Sequence, residues 1–265
     1  MFSAQKIAQI TGGKFTGGKT AGETKWQATA ITTDTRSLAP QSLFVALVGD
    51  NFDGHSFAAD ALNKGAAGVL VQRELSDIPP EKQIIVPDTL TAMAALGEYL
   101  RQNFTGQIVA ITGSAGKTTT REGLKAVLSH YGESYGTQGN YNNHIGVPIT
   151  LANLPDNSDF GVFEMAMNHS DEIAHLTQMV QPNVALITNI YPMHIENFAN
   201  LEGIAHAKAE IFDGLPQHGT AIFNADAHHA HILRQKAEAL GIENILTFGV
   251  NGDIALKSHT EENGQ

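Results

Sequence analysis

The chain has 265 residues, 42% hydrophobic and 16% charged, which at roughly 150 residues per domain suggests two folded cores and excludes a disordered tail or a mini-protein. Sixteen Lys and Arg against 27 Asp and Glu leave a net charge of -11, which argues against nucleic acid as a partner. Cysteine is absent, so disulfides, thiolate zinc sites and cysteine nucleophiles are excluded.

The first residues, MFSAQKIAQITGG, lack a basic stretch followed by an apolar core and a small-residue cleavage site, and no apolar run approaches the ~18 residues of a membrane span. The expectation is a cytoplasmic chain without membrane contact. Periodicity predicts a short amphipathic helix over Ser3 to Ile10, then apolar strands over Ala28 to Thr33 and Ser42 to Leu47, separated by the polar turn TDTRSLAPQ. A helix over Ser56 to Lys64 ends at Gly65, and strands follow over Ala67 to Val71 and Ile84 to Val86. An alanine-rich helix spans Thr89 to Phe104, and Thr105-Gly106 breaks the pattern, giving a domain over 1–105 and a second over 106–265.

From Gln107 strands and helices alternate. QIVAIT, FGVFEMA, NVALITNI, GTAIFNAD and NILTFGV read as strands; Lys117 to His130, Glu172 to Val180, Leu201 to Leu215 and Ala227 to Leu240 read as helices, with a further strand over Asp253 to Lys257. Such alternation predicts a mainly parallel sheet covered on both faces. Ligands bind such sheets at the carboxyl ends of the strands, so the residues just after Thr112, Ala166, Ile190 and Asn224 are the ones to watch.

After QIVAIT comes Gly113-Ser114-Ala115-Gly116-Lys117-Thr118-Thr119-Thr120, running straight into a helix. Small residues let backbone N–H groups close around phosphate oxygens, the helix N-terminus adds its positive end, Lys117 supplies a mobile charge and Thr118 offers a hydroxyl to Mg2+. The usual spacing would place glycine at position 111, which is Ile111, so the loop is a short variant. Glu164, at the end of FGVFEMA, is placed to hold a divalent ion, and His194 follows the next strand. Lys208 by itself reads as an ordinary solvated helix lysine. Of His228, His229 and His231 only the first and last share a helix face, so these read as exposed helix residues and not as a metal cluster.

In this order, TGSAGKTTT, GNYNNHIGVP, EMAMNH, TNIYPMH, AHAKAEIFDGLP and NAD closely resemble the Mur ligase family, and TDTRSLAPQSLFVALVGDNFDGHSF resembles its uridine-nucleotide-binding domain. The resemblance implies a small N-terminal α/β domain that binds a UDP-linked substrate, followed by an ATP-binding domain of phosphate-loop type. It implies an ADP-forming amide ligase: ATP phosphorylates the terminal carboxylate of UDP-N-acetylmuramoyl-tripeptide, and the amine of D-alanyl-D-alanine attacks the acyl phosphate. By motif, Gly113, Ser114, Ala115, Gly116, Lys117, Thr118 and Thr119 hold the ATP phosphates, with Thr118 and Glu164 on one Mg2+. His194 and Lys208, the latter matching the family's carbamylated lysine, hold a second, and Asn224 lies near the adenine. Lys117, Lys208 and His194 are the catalytic expectations. Asn140, Asn142, Asn143 and His144 match the loop between ATP and substrate, while Thr35, Arg36, Asn51, Asp53, Gly54 and His55 are expected at the uridine and its phosphates.

Several positions depart from the family pattern. Gln41 stands where glycine usually precedes the LF strand, Ala166 follows Glu-Met in place of glycine, Asp171 replaces the glycine before Glu-Ile, and Tyr191-Pro192 replaces a Gly-Glu type pair. Members also carry a third, C-terminal domain, and the polar ending KSHTEENGQ leads us to expect a truncated chain whose ligation is crippled alone. A monomer is expected. The competing expectations are a ligase adding diaminopimelate or lysine to the precursor or glutamate to folate, and a nucleotide-binding module without turnover.

Overall fold

The structure, a computed structural model, describes residues 2–15, 24–193 and 195–258. It divides into two compact units: the residues up to Asn103 with Pro148–Leu154, and Phe104–Val147 with the residues from Pro155 on.

In the first unit β1 (Phe2–Ser3) runs into α1 (Ala4–Thr11). The Ser3 hydroxyl accepts from the Lys6 amide at 3.1 Å, and Gly12 closes the helix in the left-handed conformation, so both termini have the chemistry that stops fraying. Next come β2 (Lys14–Phe15), β3 (Gln27–Ala28), β4 (Ala30–Thr32), β5 (Ser42–Val45), and the hairpin of β6 (Val48–Gly49) with β7 (Phe52–Asp53). A 310 turn at Gly54–Phe57 leads into α2 (Ala58–Asn63), then β8 (Gly68–Val71), β9 (Gln83–Ile85) and α3 (Thr89–Asn103). The sheet order is β2-β9-β8-β5-β4, parallel except for β2. The central β5 and β8 are buried on both faces, which is why SLFV and GVLV are unbroken apolar runs.

The edge strand β4 is closed by a side chain. Asn153 accepts the Ile31 amide through Oδ1 at 2.8 Å and donates through Nδ2 to the Ile31 carbonyl at 2.9 Å and the Ile149 carbonyl at 2.8 Å. Its carboxamide thus pairs with the edge as another strand would.

The second unit contains β10 (Gln107–Thr112), α4 (Lys117–Leu128), β11 (Ser134–Gly136), the start of α5 (Gly146–Ala152), β12 (Phe160–Glu164), α6 (Glu172–Val180) and β13 (Val184–Ile187). It continues through α7 (Leu201–Ala209), β14 (Thr220–Asn224), α8 (Ala230–Ala239) and β15 (Asn244–Phe248). All six strands run parallel in the order β11-β12-β10-β13-β14-β15, as the alternating pattern predicts.

Local details differ from the expectations. The stretch Asp253 to Lys257 contributes a single bridge between Phe248 and Ile254 instead of a strand. The helix expected to Leu215 becomes a 310 turn at Glu210–Gly214. The helix expected from Ala227 starts at Ala230, because His229 takes a left-handed conformation with φ 63°, so His228 and His229 precede it. GVPITLA, to which the sequence pattern assigns no element, is α5; Pro148 lies in its first turn, where a missing N–H costs nothing.

Replacing Asn153 by Ala is expected to leave Ile31's backbone without its partners and to destabilise the first unit by about 2 kcal/mol, read as a lower thermal unfolding temperature with the second unit's transition unchanged. An unaltered first transition would remove the edge-closing role.

Candidate functional site

In the second unit's sheet β10 has β12 on one side and β13 on the other. Connections leaving neighbouring strands there run to opposite faces and open a crevice at the carboxyl edge. The Gly113–Gly116 loop occupies that edge. Gly113 has φ 148° and abuts Thr188 so closely that a Cβ would overlap its Oγ1, while Gly116 at φ 80° turns the chain into α4. The end of β13 holds the loop. Ser114 Oγ donates to the Tyr191 carbonyl at 3.0 Å and accepts its amide at 2.9 Å. Asn189 Oδ1 accepts the Ala115 amide at 2.9 Å, and Thr188 Oγ1 donates to the Ala115 carbonyl at 2.6 Å. No side chain caps α4, which leaves the amides of its first turn for an anion.

The charged groups converge here. Lys117 Nζ donates to the Gly113 carbonyl at 2.8 Å, and burial pulls its pKa down against the opposing pull of Glu164. Glu164, at the end of β12, is 2% exposed. Its Oε2 accepts from Thr118 Oγ1 at 2.9 Å and Arg121 Nη1 at 3.0 Å, and its Oε1 from Asn142 Nδ2 at 2.8 Å. Lys208, expected from helix position alone to be solvated, is instead 5% exposed; burial, reinforced by Lys117, lowers its pKa to about 7. His194 lies outside the described residues. Among the described residues no three His, Cys, Asp or Glu side chains form a metal cluster. The hydroxyl of Thr118 and the carboxylate of Glu164 are nonetheless the hard oxygen donors that Mg2+ takes beside phosphate oxygens, and two partly desolvated lysines call for an anion. The residues present therefore fit a magnesium nucleotide.

Other expected residues spread around this centre. Thr119 is exposed on the first turn of α4. Asn143 Oδ1 accepts the amides of Ile145 and Gly146, and the Asn140 carbonyl accepts the Asn142 amide, so the asparagine loop braces itself. His144 lines a cleft of about 400 Å3 with Ala166, Glu172, His175 and Leu176. Asn224 ends β14 and accepts the Asp226 amide at 2.9 Å. Two departures from the family pattern have a physical reading: Gln41 and Asp171 adopt φ 62° and 68°, the conformation that glycine takes without strain.

In the first unit a cleft of about 490 Å3 is lined by Thr33, Asp34, Thr35, Arg36, Phe44, Phe52 and Phe57. Arg36 forks onto Asp34 at 2.9 and 2.7 Å and holds its carboxyl down to about 2. Phe52 stacks on Phe57 with centroids 5.5 Å apart. His55 faces inward and Asp53 lies half-exposed beside it: the Gln72 amide donates to His55 Nε2 at 2.8 Å, so Nδ1 carries the proton toward Asp53 Oδ1 at 2.6 Å. Asp53 also receives Arg73 at 2.8 Å, and these donors hold its pKa well below the usual range. Gly54 touches the backbone of Leu47 too closely for a Cβ, and Asn51 is exposed in the turn between β6 and β7.

Sequence reasoning missed Arg121, Thr188, Asn189 and Glu210. Arg121 was findable, since it lies one helical turn beyond Lys117 and so shares its face. Glu210 accepts the amides of Asp171 at 2.7 Å and Ala174 at 3.1 Å, capping α6 from the segment just past Lys208. No local signal announces that long-range cap.

A parallel sheet with a phosphate loop at its switch point defines a nucleotide-binding unit. A family model described as the Mur ligase middle domain matches residues 111–264, and one described as Mur ligase family, catalytic domain, matches residues 27–102. The chain belongs to the Mur ligase family. It is 48% identical over 198 residues, 74% of this chain and 43% of the relative, to UDP-N-acetylmuramoyl-tripeptide–D-alanyl-D-alanine ligase of Escherichia coli. It is 41% identical over 88% of this chain and 51% of the relative to the Haemophilus influenzae protein of that name. Among solved structures, MurF from Acinetobacter baumannii superposes with a TM-score of 0.83 at 34% identity, covering 96% of this chain and 55% of that one. MurF ligase from Thermotoga maritima in complex with ADP gives 0.76 at 30% identity, covering 89% and 54%. The chain spans about half the length of the curated relatives it matches.

The depressed pKa of Lys208 has a signed consequence. Between about 7 and the ordinary value of 10.5 the unfolded amine keeps a proton that the folded one has lost, so folding stability rises with pH across that window and is flat below it. In CO2-free buffer, Lys208→Met is expected to be more stable than the wild type at pH 7 and to lose this rise; parallel stability curves for the two proteins would contradict it.

Proposed function

We propose that this chain is the substrate- and nucleotide-binding part of an ATP-dependent, ADP-forming ligase of peptidoglycan precursor synthesis. The ligase joins D-alanyl-D-alanine to UDP-N-acetylmuramoyl-tripeptide through an acyl phosphate. The observation that carries the reading is the uncapped start of α4 beside Lys117, with the buried Glu164 held against Thr118. Residues 1–105 take the UDP-linked substrate, with Thr35 and Arg36 at the first unit's cleft, and residues 106–265 take ATP.

In this reading the loop Gly113 to Thr119 holds the phosphates through the uncapped amides at the start of α4, the Ser114 and Ala115 amides being donated to Asn189, and Lys117 moves from the Gly113 carbonyl to a phosphoryl oxygen. Asn224 lies at the base, and the Asn140–His144 loop orders the substrate carboxylate against the nucleotide. Bound Mg2+ offsets charge on the transferred phosphoryl. Thr118 and Glu164 would hold one ion; His194 and Lys208 would hold a second once the neutral Lys208 amine had added to CO2, releasing a proton and becoming a carbamate. The low pKa supports that step, because only the neutral amine is nucleophilic. Both substrates and ATP belong to the cytoplasm, where we place the protein as a monomer.

The test compares phosphate release and product formation by this chain and by a chain extended to its relatives' length, given ATP, Mg2+, UDP-N-acetylmuramoyl-tripeptide and D-alanyl-D-alanine. Turnover by the extended chain supports the reading, while binding of both nucleotides without turnover by either chain replaces it with a non-catalytic module. Lys117→Ala is expected to weaken ATP binding roughly tenfold or more and leave the affinity for the UDP-tripeptide unchanged; equal loss of both ligands argues against separate sites.

A further inference from the structure

Arg121 is a buried cation that the roles above do not use. Its side chain is 3% exposed and faces a Glu164 side chain that is 2% exposed. Nη1 donates to Glu164 Oε2 at 3.0 Å and to the Gly139 carbonyl at 2.9 Å, while Nε and Nη2 donate to Glu122 Oε1 at 2.9 and 2.6 Å. One guanidinium thus joins the helix after the phosphate loop, the end of β12 and the turn that begins the asparagine loop. Only a planar fork with several donors can span these partners at once.

The hydrogen bonds on Glu164 differ in what a cation would do to them. Oε2 has Thr118 and Arg121, and Oε1 has Asn142. A cation taken up by the Thr118 oxygen and Glu164 turns the Thr118 hydroxyl proton away, and the carboxylate is then kept in place by Arg121 and Asn142 alone. We propose that Arg121 is a positioning residue, which aims the Glu164 carboxylate at a divalent cation bound with nucleotide and locks the asparagine loop to the same carboxylate through Gly139. This rests on the reading of the loop as a magnesium-nucleotide site.

The alternatives predict opposite signs. A guanidinium acting only as a counter-charge weakens cation binding, so its removal strengthens it. A guanidinium serving only as a pillar lowers stability on removal and leaves cation dependence unchanged. Positioning predicts a weaker cation effect, because a misaimed carboxylate no longer meets the ion.

The experiment titrates ADP into this chain with Mg2+ and with EDTA, for the wild type, Arg121→Met and Arg121→Lys, and follows Mn2+ binding in the presence of ADP by electron paramagnetic resonance. The expected result is that Arg121→Met lowers the Mg2+ enhancement of ADP affinity about tenfold and weakens Mn2+ binding in parallel, with ADP affinity in EDTA within about twofold of wild type. Arg121→Lys recovers part of the loss, because an ammonium reaches Glu164 or Gly139 but does not fork across both. An enhancement that is unchanged or larger in Arg121→Met overturns the proposal. If that variant does not fold, Arg121→Lys decides: a reduced enhancement with unchanged affinity in EDTA supports positioning, and an unchanged enhancement overturns it. A wild type that binds no ADP, or binds it without any Mg2+ effect, instead defeats the underlying reading of the loop and this inference with it.

Discussion

A carboxylate taken out of water must have its lone pairs filled by donors, and Glu164 imposes that demand at the end of β12. The donors come from three places in the chain: Thr118 and Arg121 on α4, and Asn142 in the loop after β11. Removing one partner from a buried ion pair is far more costly than the pair is worth in isolation. The carboxylate therefore fixes the start of α4, and with it the phosphate loop, relative to the sheet. The Glu164 amide is itself tied, donating to Thr137 Oγ1 at 3.0 Å, so backbone and side chain are set together.

A second constraint comes from the other neighbour of β10. The residues after β13 bind the loop through Ser114 and Ala115, largely by side-chain contacts to backbone. A loop braced from both flanking strands has its amides arranged before any phosphate arrives, which reduces the ordering cost of binding. Gly113 is needed for the same reason, since its closeness to Thr188 leaves no room for a side chain. The two lysines show the cost of this arrangement: both are driven toward their neutral forms by burial.

The parallel sheet was legible because its central strands β10 and β12 are largely buried on both faces and its helices are amphipathic, two patterns that local sequence carries well. The phosphate loop was legible because glycines and a lysine at a strand-helix junction have few other uses. What escaped was short or distant. β11 reads Ser-Tyr-Gly at a sheet edge, too brief and polar for a period. Lys208 looks like any helix lysine until tertiary packing buries it, and Glu210 caps a helix 36 residues back. The motif resemblance named Lys208 where periodicity dismissed it, while Arg121 lay in plain view at helical spacing from Lys117. The irregularities at Gln41 and Asp171 show the reverse: sequence flagged them as departures, and only the backbone angles explain why glycine is the usual occupant.

The carboxamide of Asn153 on β4 bears on how many copies of this chain can share a solution. An open edge strand offers amides and carbonyls to the edge strand of any other copy, which is the common route to sheet extension and aggregation. By occupying both hydrogen-bonding groups of Ile31, Asn153 blunts that edge at its middle residue. A single side chain, itself outside the sheet, thereby helps keep the first unit's sheet from lengthening at the expense of its neighbours.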